Sequence, residues 1–270
     1  MRTVITHGHI FKNAGSTLDW TLKRLFSDSF CDHRDDIPMR RGGAIYLAGF
    51  LNDNSHIQAI SSHHMCDSRE IPDINIIPIN LLRHPIERVR SVYNFEKRQQ
   101  SDSPGAVAAK KYNFKDYVLW RMEPNVNRTI KNYQSFYLAS RHMAAPHLKV
   151  DEQILSEALD YLASVFCVGV VDRYDESMVV FEEYIKTWVP EVDFSYIRQN
   201  SSETDVMSLS EGVQSVISDL AENASLLMEE NAGDLSLYQK VNISLDKKVK
   251  EIKGFEEKLI NFKERCSNLK

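Results

Sequence analysis

Lys12, Ser16 and Thr17 stand within one short stretch, with Gly8, Asn13 and Gly15 around them. An ammonium, two hydroxyls and a turn-rich backbone at a helix start suit a phosphate-like anion, because the first N–H groups of a helix lack intrahelical acceptors. This is not the G-x-x-x-x-G-K-[S/T] loop, since the lysine precedes the glycine and the hydroxyls. Arg83 and Ser91 repeat the chemistry. An arginine at the end of an apolar run grips an oxyanion through two parallel bonds, and a serine about two helical turns on reaches the same group. Two anion sites at one edge of a sheet match a nucleotide carrying two phosphate groups. A third apolar run ends in His63-His64. An imidazole with an unperturbed pKa near ~6.5 is suited to moving a proton at neutral pH. Neighbours on a strand point to opposite faces, so one of the two faces a ligand. Taken singly, Lys12 reads as solvated and Arg83 as paired with a carboxylate; three loaded turns together favour a site. His7 and His9 share a strand face and, with His63, His64, Cys31 and Cys66, carry metal-ligating atoms. Neither H-E-x-x-H nor C-x-x-C accompanies them, and no metal is expected.

The elements that must position these groups follow from periodicity. Val4, Ile5 and Ile10 read as strand, and Leu18, Leu22, Leu25 and Phe26 as one helical face. Residues 27–43 read as a polar loop, 44–51 as helix or strand, and 57–61 as a short strand. The run 74–82 contains Pro78, so its strand is expected to start near Ile79. Pro85 opens a helix, residues 99–111 read as a surface loop, and 114–122 as a helix. Tyr133 to Ser140 reads as irregular or short helix. A helix over 151–165 with Asp151 as cap, a strand over 166–171 and a helix over 174–188 stopped before Pro190 follow. After a polar loop, 209–230 and 235 onward are helical. Strands alternating with helices predict an α/β fold, three layers α/β/α about a central parallel sheet, with ligands beyond the carboxyl ends of the strands. The expected division is an α/β domain over 1–240 and a C-terminal helix over 241–270. In that tail, Leu245, Val249, Ile252, Phe255, Leu259, Phe262, Cys266 and Leu269 approximate a coiled-coil seam, for packing on the chain's own domain or for a homodimer.

The 270 residues are 43% hydrophobic and 26% charged, the composition of a soluble globular protein. A net charge of −5 argues against a general nucleic-acid binder. The four cysteines form no framework and read as reduced thiols. With no basic-then-apolar leader and no apolar run long enough for a bilayer, a cytoplasmic protein without a transmembrane segment is expected.

His9-Ile10-Phe11-Lys12-Asn13-Ala14-Gly15-Ser16-Thr17-Leu18 resembles the 5′-phosphosulfate loop of sulfotransferases that use 3′-phosphoadenosine 5′-phosphosulfate (PAPS). Leu81-Leu82-Arg83-His84-Pro85-Ile86-Glu87-Arg88 followed by Ser91-Val92-Tyr93 resembles their 3′-phosphate motif. The carbohydrate branch, which includes heparan sulfate 2-O-sulfotransferase, is the nearest match. Val168 to Ser177 and Asn231 to Tyr238, with its D-x-x-L-Y pattern, are similar to later blocks of that branch. Phe11 replaces the usual proline and Asn13 the usual threonine, and the tail beyond Leu245 has no counterpart.

The resemblance implies a P-loop-like sulfotransferase fold and transfer of a sulfuryl group from PAPS to a hydroxyl of a carbohydrate or other glycan-like acceptor, leaving PAP (adenosine 3′,5′-bisphosphate), with no metal. It assigns Lys12, Asn13, Ala14, Gly15, Ser16 and Thr17 to the 5′-phosphosulfate, and Arg83 and Ser91 to the 3′-phosphate. Lys12 also stabilises the leaving group. His63 is the matching base, with His64 beside it. Asn132, Tyr133, Gln134 and Arg141 are offered as acceptor contacts, against plain packing roles for each, and Arg198 to Ser202 as a lid. A P-loop nucleotide kinase and a non-catalytic nucleotide- or glycan-binding homologue are the alternatives.

Overall fold

The computed structural model describes residues 1–67, 70–140, 151–199 and 208–269. In chain order the strands and helices are β1 (Arg2–Gly8), α1 (Gly15–Phe26), β2 (Phe30–Asp32), α2 (Asp36–Asp53), β3 (Ala59–Ser62), β4 (Ile74–Leu82), α3 (Pro85–Arg98), α4 (Pro104–Lys111), α5 (Phe114–Met122), α6 (Tyr133–Ala139), α7 (Asp151–Ser164), β5 (Cys167–Val170), α8 (Tyr174–Ile185), α9 (Leu209–Leu220), α10 (Ala224–Glu230), α11 (Ala232–Glu251) and α12 (Phe255–Asn268). The strands form one five-stranded sheet in the order β2-β3-β1-β4-β5. Every pairing is parallel. Both faces are covered, as all-parallel sheets require. Successive residues feed opposite cores: Ile5 and Ala59 join one cluster with Leu18 and Leu22, while Val4 and Ile60 join another with Met39 and Leu47. The fold is α/β with the expected three-layer arrangement.

The order of strands makes the cleft. Chain leaving β1 travels by α1 toward β2, at one edge, whereas chain leaving β4 travels toward β5, at the other. Connections diverge beyond adjacent β1 and β4, which opens a crevice at their carboxyl ends.

Several local expectations differ from the structure. Residues 27–43 contain β2 and the start of α2, whose apolar side chains are too sparse for a periodic signal; α2 kinks at Gly43, at φ 55°. β4 begins at Ile74 and runs through Pro78. The proline is tolerated because β5 pairs with β4 only from Ile79, so β4 is still an edge at Pro78. The stretch 99–111 includes α4, opened by Pro104 and capped by the Ser103 hydroxyl, which accepts from Ala106 N. The tail is not one seam. Gly254, at φ 68°, separates α11 from α12, and α11 runs unbroken through residue 240, with Leu237, Val241 and Leu245 in the main core. Phe255 and Phe262 are buried in that same core, and Val249, Ile252, Leu259 and Cys266 pack against it. Among the described residues no helix is long and apolar enough to cross a membrane.

Candidate functional site

A cleft of about 950 Å³ lies over the carboxyl ends of the strands. Its wall takes Lys12, Ala14, Gly15, Ser16 and Thr17 from the β1–α1 turn, His63 from the end of β3, Arg83 from the end of β4 and Ser91 from α3. Residues 71 positions apart in the chain thus meet, and Arg83 Nη1 donates to the Lys12 carbonyl at 3.3 Å. Five cations, Lys12, Arg34, Arg83, Arg98 and Arg198, face two carboxylates, Glu87 and Asp172. A chain of net charge −5 therefore concentrates positive charge in its cleft, the field expected around an anionic ligand.

The β1–α1 turn is built to hold its shape. Lys12 and Ala14 both adopt left-handed backbone, at φ 65° and 58°, a conformation rare for residues with a Cβ and frequent at ligand-binding turns. Ala14 is the N-cap of α1 and offers no side-chain acceptor, so the first N–H groups of the helix are left for another acceptor. Ser16 is exposed in the cleft. Lys12 Nζ lies 4.6 Å from the Phe95 ring centroid. Asn13 turns away from the cleft: its Nδ2 donates to Leu81 O at 2.8 Å and to Gln134 Oε1 at 2.7 Å. The Asn13 side chain thus braces the turn from behind and does not line the cleft. Arg88, fully buried on α3, braces the same turn from below, donating to Phe11 O at 3.0 Å and Thr129 O at 2.9 Å. Burial pushes its pKa down to about 10, which still leaves it cationic at neutral pH.

Arg83 bonds both Glu87 carboxylate oxygens, one helical turn on, and donates to Ser91 Oγ at 2.9 Å. Arginine and serine are thus one unit through the Nη1–Oγ bond, and Glu87 is the carboxylate partner that Arg83 taken singly was expected to have.

The two adjacent histidines part company. His63 lines the cleft, and its Nδ1 lies 3.0 Å from the His9 carbonyl. A carbonyl only accepts, so Nδ1 carries the proton and Nε2 keeps its lone pair. Burial, with the nearby His9, lowers the His63 pKa. His64 is absent from the cleft wall and stands 3.7 Å from the Asp36 carboxylate.

None of the described acceptor candidates lines this cleft. Gln134 is fully buried, accepting from Arg83 N at 2.9 Å and donating to Arg83 O at 2.9 Å. Asn132 is buried against α11, accepting from Asp234 N at 2.9 Å, and Tyr133 lies under the Arg88 guanidinium at 4.4 Å. Their polar side chains serve packing because the segment threads between β4 and α11, a placement no local pattern announces. Arg141 lies outside the described residues, as do 200–202 of the expected lid. Arg198 and Gln199 line the cleft, and Gln199 N donates to Thr17 Oγ1 at 3.1 Å.

Sequence reasoning also missed Asp19 and Arg34. Asp19 accepts from His7 Nδ1 and His9 Nδ1, both at 2.7 Å, and from Arg34 at 2.8 Å. Burial alone would raise its pKa, but the two histidines hold the carboxyl far below the usual range. The signal was present: Asp19 follows Leu18 on the face of α1 that also buries Thr21 and Leu22. One ligand atom each from His7, His9 and Asp19 makes the one group among the described residues with the proximity of a metal site. His7 and His9 both hydrogen-bond the Asp19 carboxylate, which the Arg34 guanidinium also reaches.

This is an α/β protein whose parallel sheet carries a basic, histidine-bearing cleft at its switch point. No family model matches the chain. It is 32% identical over 247 residues to an uncharacterized protein of Archaeoglobus fulgidus, covering 89% of this chain and 96% of that one. The chain belongs to the same family as that archaeal protein.

Proposed function

We propose that the protein is a PAPS-dependent sulfotransferase acting on a hydroxyl of a carbohydrate or glycan-like acceptor. The observation that carries this reading is the convergence on one cleft of the Lys12–Thr17 turn, the Arg83–Ser91 unit and the unprotonated Nε2 of His63.

PAPS would supply the sulfuryl group and a good leaving group. Lys12, Ser16, Thr17 and the first N–H groups of α1 would hold the 5′-phosphosulfate, and Arg83 with Ser91 the 3′-phosphate. His63 Nε2 would take the proton of the attacking hydroxyl, and Lys12 would stabilise the negative charge that grows on the departing oxygen. Such a scheme rests on positioning and charge stabilisation, as phosphoryl transfer does. A general base of this kind contributes roughly 10²–10⁴-fold.

Calorimetric titration with adenosine 3′,5′-bisphosphate tests the reading, with ATP and ADP as controls. Micromolar binding of the bisphosphate is expected, weakened at least about tenfold, or ~1.4 kcal/mol, in Lys12→Ala and in Arg83→Ala. A preference for ATP would move the protein to the kinase class. Bisphosphate binding without sulfuryl transfer to any glycan acceptor would favour a binding protein.

A further inference from the structure

We propose that His9, backed by Asp19, is a second catalytic base of the cleft; this rests on the sulfotransferase reading above. His9 follows the last residue of β1 and lines the cleft. Its imidazole lies against Gly15, so closely that a Cβ at that position would fall on the ring atoms Cδ2 and Nε2. The absence of a side chain at Gly15 is thus what admits His9 to the floor of the β1–α1 turn, where the phosphosulfate would sit. Its ring centroid is 4.4 Å from that of His63.

The tautomer follows from the partners. Asp19 is an ionised carboxylate and only accepts, so His9 Nδ1, 2.7 Å away, carries the proton and Nε2 is free of it. A carboxylate behind an imidazole fixes its orientation and stabilises the imidazolium that forms when Nε2 takes a proton, as in hydrolase triads. His63 has only a carbonyl behind it. Of the two cleft histidines, His9 therefore has the better-supported cation. In the step as His9 carries it, in place of His63, the O–H bond of the attacking hydroxyl or water breaks and its one proton goes to His9 Nε2. The oxygen forms a bond to sulfur, and the S–O bond to the phosphate breaks with its electron pair left on the phosphate oxygen. Charged and titratable groups facing His9 are His7 on β1, Asp19 on α1 and Arg34 before α2, with His63 after β3.

Single-turnover release of sulfate from PAPS to water, followed across pH, provides the test, with ¹⁵N imidazole spectra of the intact protein beside it. The spectra are expected to show His9 as the Nδ1–H tautomer at pH 7, shifted when adenosine 3′,5′-bisphosphate binds. Asp19→Asn should lower the rate by about 10²-fold or more, with bisphosphate affinity kept within about threefold and the pH profile altered. His63→Ala should leave a residual rate that His63→Ala with His9→Gln removes. If Asp19→Asn does not fold, His9→Gln alone is judged by the same criteria. An Nε2–H tautomer, no detectable sulfate release by the intact protein, or rates within about threefold in the folded variants overturns the proposal. Absence of bisphosphate binding overturns the sulfotransferase reading and this inference together, whereas binding with an inert His9 overturns the inference alone.

Discussion

His63 and His64 show how one peptide bond separates an imidazole that lines the cleft from one that stands by Asp36. Strand β3 delivers both to the same edge of the sheet, yet only His63 enters the cleft, its proton held on Nδ1 by the His9 carbonyl. His63→Ala is therefore expected to lower kcat for sulfuryl transfer by about 10-fold or more, and His64→Ala by less than about threefold, in a steady-state assay. The pH profile carries the sign of the His63 environment. Burial, and then the adjacent His9, lower its pKa below the ordinary ~6.5. A base works when unprotonated, so kcat should stay level from neutral pH down to ~6.5 and fall only below it. A rate that already falls between pH 8 and 7 would contradict this.

At the scale of elements, α6 acts as a clamp on the site without touching the cleft. Its first residues are held by Asp234 of α11, which accepts from Gln134 N at 3.0 Å, Ser135 N at 2.7 Å and Ser135 Oγ at 2.6 Å. Gln134 in turn joins both backbone groups of Arg83 to Asn13 of the opposite turn. The two cleft-forming turns are thereby locked together from behind. Gln134→Leu removes these bonds and leaves buried polar groups unpaired, at a cost of about 1–3 kcal/mol each. Urea denaturation should show the loss. Calorimetry should show weaker bisphosphate binding, even though no Gln134 atom lines the cleft.

Over the whole molecule, the last helix supports the site from a distance. Phe262 of α12 is fully buried. Beside it Arg265 pairs with Glu182 of α8 and with Asp193, and Cys266 Sγ accepts from Tyr196 N at 3.4 Å. The segment from Asp193 to Gln199 then passes over α1, where Gln199 reaches Thr17. Phe262→Ala is expected to cost about 3–5 kcal/mol and to weaken bisphosphate binding through this strap, both read from denaturation and calorimetry. Stability should also depend on pH. Burial is the first cause lowering the pKa of His9, His63 and His84 in the folded chain. The unfolded chain then binds more protons below ~6.5, so stability present above that pH is lost as pH falls through it. Asp19, held ionised, adds a further loss only below ~3.9. The urea midpoint at pH 5.5 should lie below that at pH 7.5.

Alternation of β-branched runs with helical faces was enough to give the α/β class, because each period reports which face of a local element is buried. Lys12, Arg83 and Ser91 were legible for a similar reason: each sits at a strand end or on the first turns of a helix, where short-range pattern fixes position. What no local pattern contains is which distant segment covers a given face. Gln134 read as an acceptor contact or a packing residue, and nothing near it in sequence indicates Arg83 and Asn13 as its partners. The apolar tail fits a partner helix or the chain's own core equally well, and only folding placed Phe255 and Phe262 in the latter. Asp19 was visible as a carboxylate on a helix. Its role as the shared acceptor of His7, His9 and Arg34 arose only when α1 packed against β1 and the chain after β2 returned beside it, since a carboxylate's chemistry is set by the donors that reach it and those come from tertiary structure.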